Sequence, residues 1–124
     1  SRGLGDVYKR QTNLVECIKF AENEISKDGL RAPIVGHVGD GNFHVTILYD
    51  PEIPEDMKKI REFSDKLVKK SLELGGTATG EHGIGLNKKK YLEIEHKNSL
   101  FLMKKIKKSI DPENIMNPGK IFDT

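Results

Sequence analysis

The amino-acid sequence predicts an α+β fold, an antiparallel sheet with helices packed on one face. Three observations carry this prediction. Apolar residues recur at helical spacing from Leu14 to Ile25 and again from Met57 to Leu74. Two short alternating runs, Ile34–Val38 and Phe43–Tyr49, flank Gly39, Asp40, Gly41 and Asn42, which is a hairpin signal. The resulting order, helix, strand, strand, helix, strand, helices, is that of an α+β chain.

Taken in order, Leu14, Cys17, Ile18, Ala21 and Ile25 form one stripe of a helix beginning near Thr12, and Gly29 supplies its stop. In the second alternating run Phe43, Val45, Ile47 and Tyr49 face one way and His44, Thr46 and Leu48 the other, as in a half-buried strand. Pro54 opens the next helix, whose inner face follows Met57, Ile60, Phe63 or Ser64, Leu67, Ser71 and Leu74 up to Gly75 and Gly76. Thr77–Thr79 favour a third strand by β-branching, and the glycines of Gly80–Gly85 break it. A short helix over Asn87–Glu95 and a longer one over Ser99–Ile110 follow, the latter stopped by Asp111 and Pro112.

Composition narrows the function classes. With 124 residues, 35% hydrophobic and 32% charged, there is material for one modest core. A formal charge of +2, 6% aromatic residues and no tryptophan make a poor nucleic-acid binder, and the lysines of Lys88–Lys90 and Lys104–Lys108 read as solvated helix faces. No apolar run reaches the roughly 18 residues of a membrane span, and the N-terminus lacks a secretory signal's apolar centre. No membrane span and a cytoplasmic location are therefore the expectations. Cys17, the single cysteine, lies in the apolar stripe and reads as a small buried hydrophobe. Ser1–Gln11 lack a sustained period and read as a foreign or disordered segment, similar to adapter-derived sequence at the ends of assembled reading frames. The domain proper is expected over residues 12–124.

The hairpin carries the first chemistry. With a loop of Gly39–Asn42, Val38 lies opposite Phe43 and His37 opposite His44, so that two imidazoles on one face could reach one cation. Gly36, Gly39 and Gly41 strip side chains from their neighbourhood, which admits a ligand to the main chain. The other account is a polar pair at a surface, with glycines in their ordinary turn role. The segment GGTATGEHGIG (Gly75–Gly85) adds a carboxylate beside another histidine. Glu81 could join His37 and His44 on a metal with open positions, leaving His82 as a proton acceptor, or Glu81 and His82 could be a solvated turn pair. Neighbours on a regular strand point to opposite faces, so both can serve one site only where the chain bends, for which Gly80, Gly83 and Gly85 provide. The glycine order does not fit a dinucleotide-binding fingerprint. His96, in a charged stretch, reads as a surface residue.

GHVGDGNFH (Gly36–His44), GGTATGEHGIG (Gly75–Gly85) and DPENIMNPGKIF (Asp111–Phe122) together resemble the C-terminal domain of FAD-linked oxidases. The resemblance is to the D-lactate dehydrogenase, glycolate oxidase and D-2-hydroxyglutarate dehydrogenase branch of the vanillyl-alcohol oxidase superfamily, and it covers nearly everything after Gln11. It implies that His37, His44 and Glu81 hold a divalent metal, zinc or manganese, beside FAD. It implies further that His82 removes the hydroxyl proton of a D-2-hydroxy acid as hydride leaves the α-carbon for the flavin. Asn42, Asn117 and Lys120 look like the family's contacts near flavin or substrate. For Asn117–Lys120 a rigid turn around the Pro-Gly pair explains the residues equally well.

Family members carry an N-terminal FAD-binding domain of about two hundred residues, the size of a separate domain, which this sequence does not contain. The expectation is a C-terminal piece of an FAD-dependent D-2-hydroxy-acid dehydrogenase, inactive alone. Its partners would be that FAD-binding domain, a small 2-hydroxy acid, and a second copy through an open sheet edge. The competing readings are a stand-alone divalent-metal domain, hydrolytic through Glu81 or His82, and a non-catalytic interaction module.

Overall fold

Leu14, Cys17 and Ala21, three members of the first predicted stripe, are buried, with Ala21 fully so. The computed structural model describes residues 2–50, 52–121 and 123, with side chains from Asn13 onward. It contains α1 (Arg2–Asp28), β1 (Ile34–His37), β2 (Asn42–Val45), α2 (Pro54–Glu73), α3 (Lys89–Glu95) and α4 (Leu100–Ile110), an α+β arrangement. The expectation of a foreign or disordered Ser1–Gln11 lies, for Ser1 and for the side chains up to Thr12, outside the described residues; the backbone from Arg2 is part of α1. The chain divides into two units after Gly76.

In the first unit α1 packs on α2. Asn13 donates its side-chain amide to the Leu74 carbonyl (2.7 Å), Lys70 pairs with Glu16 (2.6 Å), and Lys66 reaches Glu24 (2.5 Å) and Asp28 (3.7 Å). Partners descend along α2 as they ascend along α1, so the helices are antiparallel. Lys66 holds the Glu24 carboxyl below its ordinary range, with burial opposing it. Phe63, the largest fully buried side chain, points from α2 into this unit's core. Both helices end as their glycines predict. Leu30 and Gly29 donate to the Ile25 and Ser26 carbonyls, and Gly76 and Gly75 to those of Ser71 and Leu72. Gly29 and Gly75 take φ of 64° and 76°, the left-handed closure in which glycine carries no side-chain penalty. Burial pushes the Cys17 thiol up, more than Lys70 lowers it, and keeps it protonated, as suits a packing residue.

The hairpin between the helices corrects the predicted register. Ile34 pairs with Val45, Val35 with His44, Gly36 with Phe43 and His37 with Asn42, so His37 and His44 are not directly opposite. The turn begins one residue earlier than predicted: Val38–Asp40 form a 3-10 turn, and Gly41, at φ 69°, closes it by donating to the Val38 carbonyl. This slides the pairing by two residues, which keeps every side chain on its predicted face, whereas a slip of one would have inverted both strands. Beyond the strands Thr46 donates to the Pro33 carbonyl and Leu48 to that of Arg31. Pro33 has no N–H to return, which interrupts the ladder before the Arg31–Leu48 bridge.

Gly36 has a different reason from the one predicted. A Cβ there would lie 2.5 Å from the Asn42 carbonyl oxygen and 2.6 and 2.7 Å from Phe43 Cα and Cβ. The glycine admits the partner strand, not a ligand. Gly36→Ala should therefore cost about 1–3 kcal/mol, the range for forced overpacking, read as a lower urea midpoint with unchanged slope.

In the second unit the predicted strand at Thr77–Thr79 does not form, and the only sheet among the described residues is the two-stranded hairpin. Local and side-chain hydrogen bonds take the place of a ladder. Ala78 N–H donates to the Glu95 carboxylate (2.9 Å), and Thr79 N–H to Thr77 Oγ1 (3.4 Å). Tyr91 and Leu92 bury the inner side of α3. The backbone then turns through His96 and Ser99 into α4, which stops at Asp111. No helix among the described residues is long and apolar enough to cross a membrane.

Candidate functional site

The first unit supplies the two hairpin histidines. Val35, which pairs with His44, lies two residues from His37 on the same face, so the imidazoles are diagonal neighbours. Their ring centroids are 6.3 Å apart and their planes stand at 87°. His37 is exposed and His44 half-buried. Diagonal placement still lets two imidazole nitrogens converge on one cation, because the rings project from the same side of the ribbon. Asn42 is half-buried across from His37, at the strand end where the turn delivers it.

The second unit, taken by itself, carries Glu81 and His82. No strand forms at Thr77–Thr79, and Gly83 and Gly85 adopt φ of 75° and 53°. On this bent backbone the neighbouring side chains of Glu81 and His82 meet, His82 Nε2 lying 3.3 Å from Glu81 Oε1. The alternation of a regular strand would have forbidden this. Both side chains are more than half exposed, at 51% and 68%, and so are open to a ligand. His96, read from its charged surroundings as a surface residue, is part-exposed beside the carboxylate of its neighbour Glu95 (3.4 Å).

The C-terminal motif also belongs to the second unit. Asn117 takes φ of 49° and accepts the Lys120 N–H on its carbonyl (3.2 Å), so Asn117–Lys120 is a tight turn. It follows a clamp centred on Asp111. Lys107 holds the Asp111 carboxyl below the ordinary aspartate range, assisted by the Ile115 and Met116 amides and opposed by burial. The folded value is the depressed one, so the clamp's contribution is complete above the ordinary value of about 3.9 and is lost as pH falls through the folded value. The Ile115 and Met116 amide resonances should thus stay constant down to that pH and shift together below it in an acid titration.

Two polar atoms were not singled out by sequence reasoning. Thr79 Oγ1 and Asn114 Oδ1 are buried without a hydrogen-bond partner among the described residues. Such groups call for a ligand or water, and they flank the Glu81–His82 and Asn117–Lys120 segments. Neither residue type nor spacing marks them.

Residues 6–121 match the family described as FAD linked oxidases, C-terminal domain. The chain belongs to this family. It is 50% identical over 120 residues to D-lactate dehydrogenase (cytochrome) 1, mitochondrial, of Saccharomyces cerevisiae, a match covering 96% of this chain and 20% of that protein. It is 41% identical over 120 residues to the mitochondrial D-lactate dehydrogenase (cytochrome) of Arabidopsis thaliana, covering 96% and 21%. To glycolate oxidase subunit GlcD of Bacillus subtilis it is 36% identical over 120 residues, covering 96% and 26%. The chain thus spans about a fifth to a quarter of the length of these relatives.

Proposed function

We propose that the chain is the C-terminal part of an FAD-dependent D-2-hydroxy-acid dehydrogenase of the D-lactate or glycolate type, inactive without the FAD-binding polypeptide. The match of nearly the whole chain to relatives named for D-lactate and glycolate oxidation carries this reading. One cysteine, buried and protonated, suits a reducing compartment such as the cytoplasm.

The donor chemistry fits a divalent cation. Two neutral imidazoles and a carboxylate, His37, His44 and Glu81, form the mixed nitrogen and oxygen set that zinc or manganese accepts while keeping positions open. When bound, FAD would supply the acceptor for the substrate's α-hydrogen and its electron pair, and a cation held by His37, His44 and Glu81 would supply a Lewis acid. His82 takes the hydroxyl proton on a ring nitrogen, so that the carbinol becomes a carbonyl and the D-2-hydroxy acid a 2-oxo acid. Glu81, beside His82 Nε2, orients that ring. Asn42, Asn117 and Lys120 hold the cofactor or substrate by hydrogen bonds.

The reading is tested in the full-length protein, which should be yellow and contain about one divalent ion per chain. His37→Ala should weaken metal affinity by at least about 10–100-fold, the loss seen on removing groups that only orient metal ligands, and so lower metal content at limiting metal, while leaving bound flavin in place. Unchanged stoichiometry by elemental analysis would remove His37 from the ligand set.

A further inference from the structure

The C-terminal motif is tied at both ends by groups that the proposed chemistry does not use. At its start the Asp111 carboxylate, 6% exposed, accepts the Lys107 ammonium. It also takes the N–H groups of Ile115 and Met116, each at 2.9 Å. Lys107 closes the loop by donating to the Met116 carbonyl (2.5 Å). At its end Ile121 N–H donates to the carbonyl of Gly85 (2.8 Å), the last glycine of the segment that carries Glu81 and His82.

Between these ties the backbone enters the left-handed region at Asn114 (52°), Asn117 (49°) and Ile121 (68°). Asparagine tolerates that region, but a β-branched residue does not, and one persists there only where its surroundings over-determine it. The strained residue is the one whose amide is bonded to Gly85. The bond to Gly85 holds it directly, and the Lys89–Asp123 ion pair ties the chain just beyond it; the clamp fixes the other end of the turn.

We propose that Asp111 is a positioning residue. By clamping 111–116 it fixes the Asn117–Ile121 turn, and through the Ile121 amide it sets the end of the loop that leads back to His82. This rests on the proposed function only in giving His82, Asn117 and Lys120 their roles; the coupling is a property of the chain. The carboxylate is needed because donors approach both of its oxygens. An asparagine offers one acceptor oxygen and turns an NH2 group toward the remaining donors.

The test is amide hydrogen exchange by NMR on the full 124-residue chain. Asp111→Asn should speed exchange at Ile115, Met116 and Ile121 by roughly ten-fold, the scale of one charge-assisted hydrogen bond. It should also shift the His82 ring resonances, while Met103 in α4 stays protected. Loss of protection at Ile115 and Met116 with wild-type exchange at Ile121 overturns the coupling, as does no change at all. Should Met103 also lose protection, the variant has unfolded and the Lys107 pair decides. Lys107→Met should expose Ile121 and Lys107→Arg should keep it protected, and equal exchange in both overturns the proposal. Turnover is a separate readout. In the full-length protein, normal kinetics with an exposed Ile121 amide would refute the assigned roles of Asn117 and Lys120 and leave the coupling standing.

Discussion

On the proposed function, His82→Ala in the full-length protein should lower the rate of substrate oxidation by about 10²–10⁴-fold, the usual loss on removing a positioned general base, and leave flavin bound. The expectation follows from where the proton must go. A 2-hydroxy acid cannot become a 2-oxo acid unless its hydroxyl proton leaves with the α-hydrogen. His82 is an accessible imidazole on a backbone bent by Gly83 and Gly85, with a carboxylate at 3.3 Å to orient it. Stopped-flow reduction of the flavin by substrate isolates this step, and the visible absorption of the purified variant reports cofactor retention. A variant that reduces its flavin at the wild-type rate would take His82 out of the chemistry. Colourless protein would instead mean that the loop serves cofactor binding.

The second large effect concerns stability. Phe63→Ala should cost about 3–5 kcal/mol, the range for deleting a fully buried aromatic, against the 5–15 kcal/mol that holds most domains folded. Phe63 is 1% exposed, and among the described residues few side chains in the first unit are as well buried: Leu14 and Cys17 at 5% and Ala21 at 0%. Deleting the ring leaves a cavity that the surrounding structure fills only in part. Urea unfolding followed by helical circular dichroism gives the measurement. A loss below about 1 kcal/mol, the size of a tolerated volume change, would show that Phe63 does not anchor α1 against α2.

Helices were the most legible part of the chain because their signals are local. Apolar spacing, Pro54 at a helix start, and Gly29 and Gly75 at helix ends act within a few residues, and the same residues perform those roles in three dimensions. The hairpin was legible as a hairpin but not in register. Two registers two residues apart present identical faces, so alternation cannot choose between them. The choice was made by the 3-10 turn at Val38–Asp40 and by the close approach of Phe43 to Gly36. Thr77–Thr79 had strand propensity and no strand to pair with. An acceptor 17 residues away, Glu95, took the Ala78 amide instead.

The site divides along the same line. Which residues could carry chemistry, His37, His44, Glu81 and His82, followed from donor types and from the glycines around them, since these depend on composition over a short span. The meeting of Glu81 with His82 depended on a bend that the glycines permit but do not require. The tie from Asp111 through Ile121 to Gly85 left no mark beyond a helix stop. Local sequence determined where the helices stop, their side-chain faces and the chemical inventory, because those are settled by steric and hydrogen-bonding preferences between near neighbours; the start of α1 at Arg2, ten residues before the predicted one, carried no apolar period to mark it. Register, the fate of Thr77–Thr79 and the clamping of the C-terminal turn were decided only in the tertiary structure, where an amide chooses among acceptors distant in sequence according to which one is within reach.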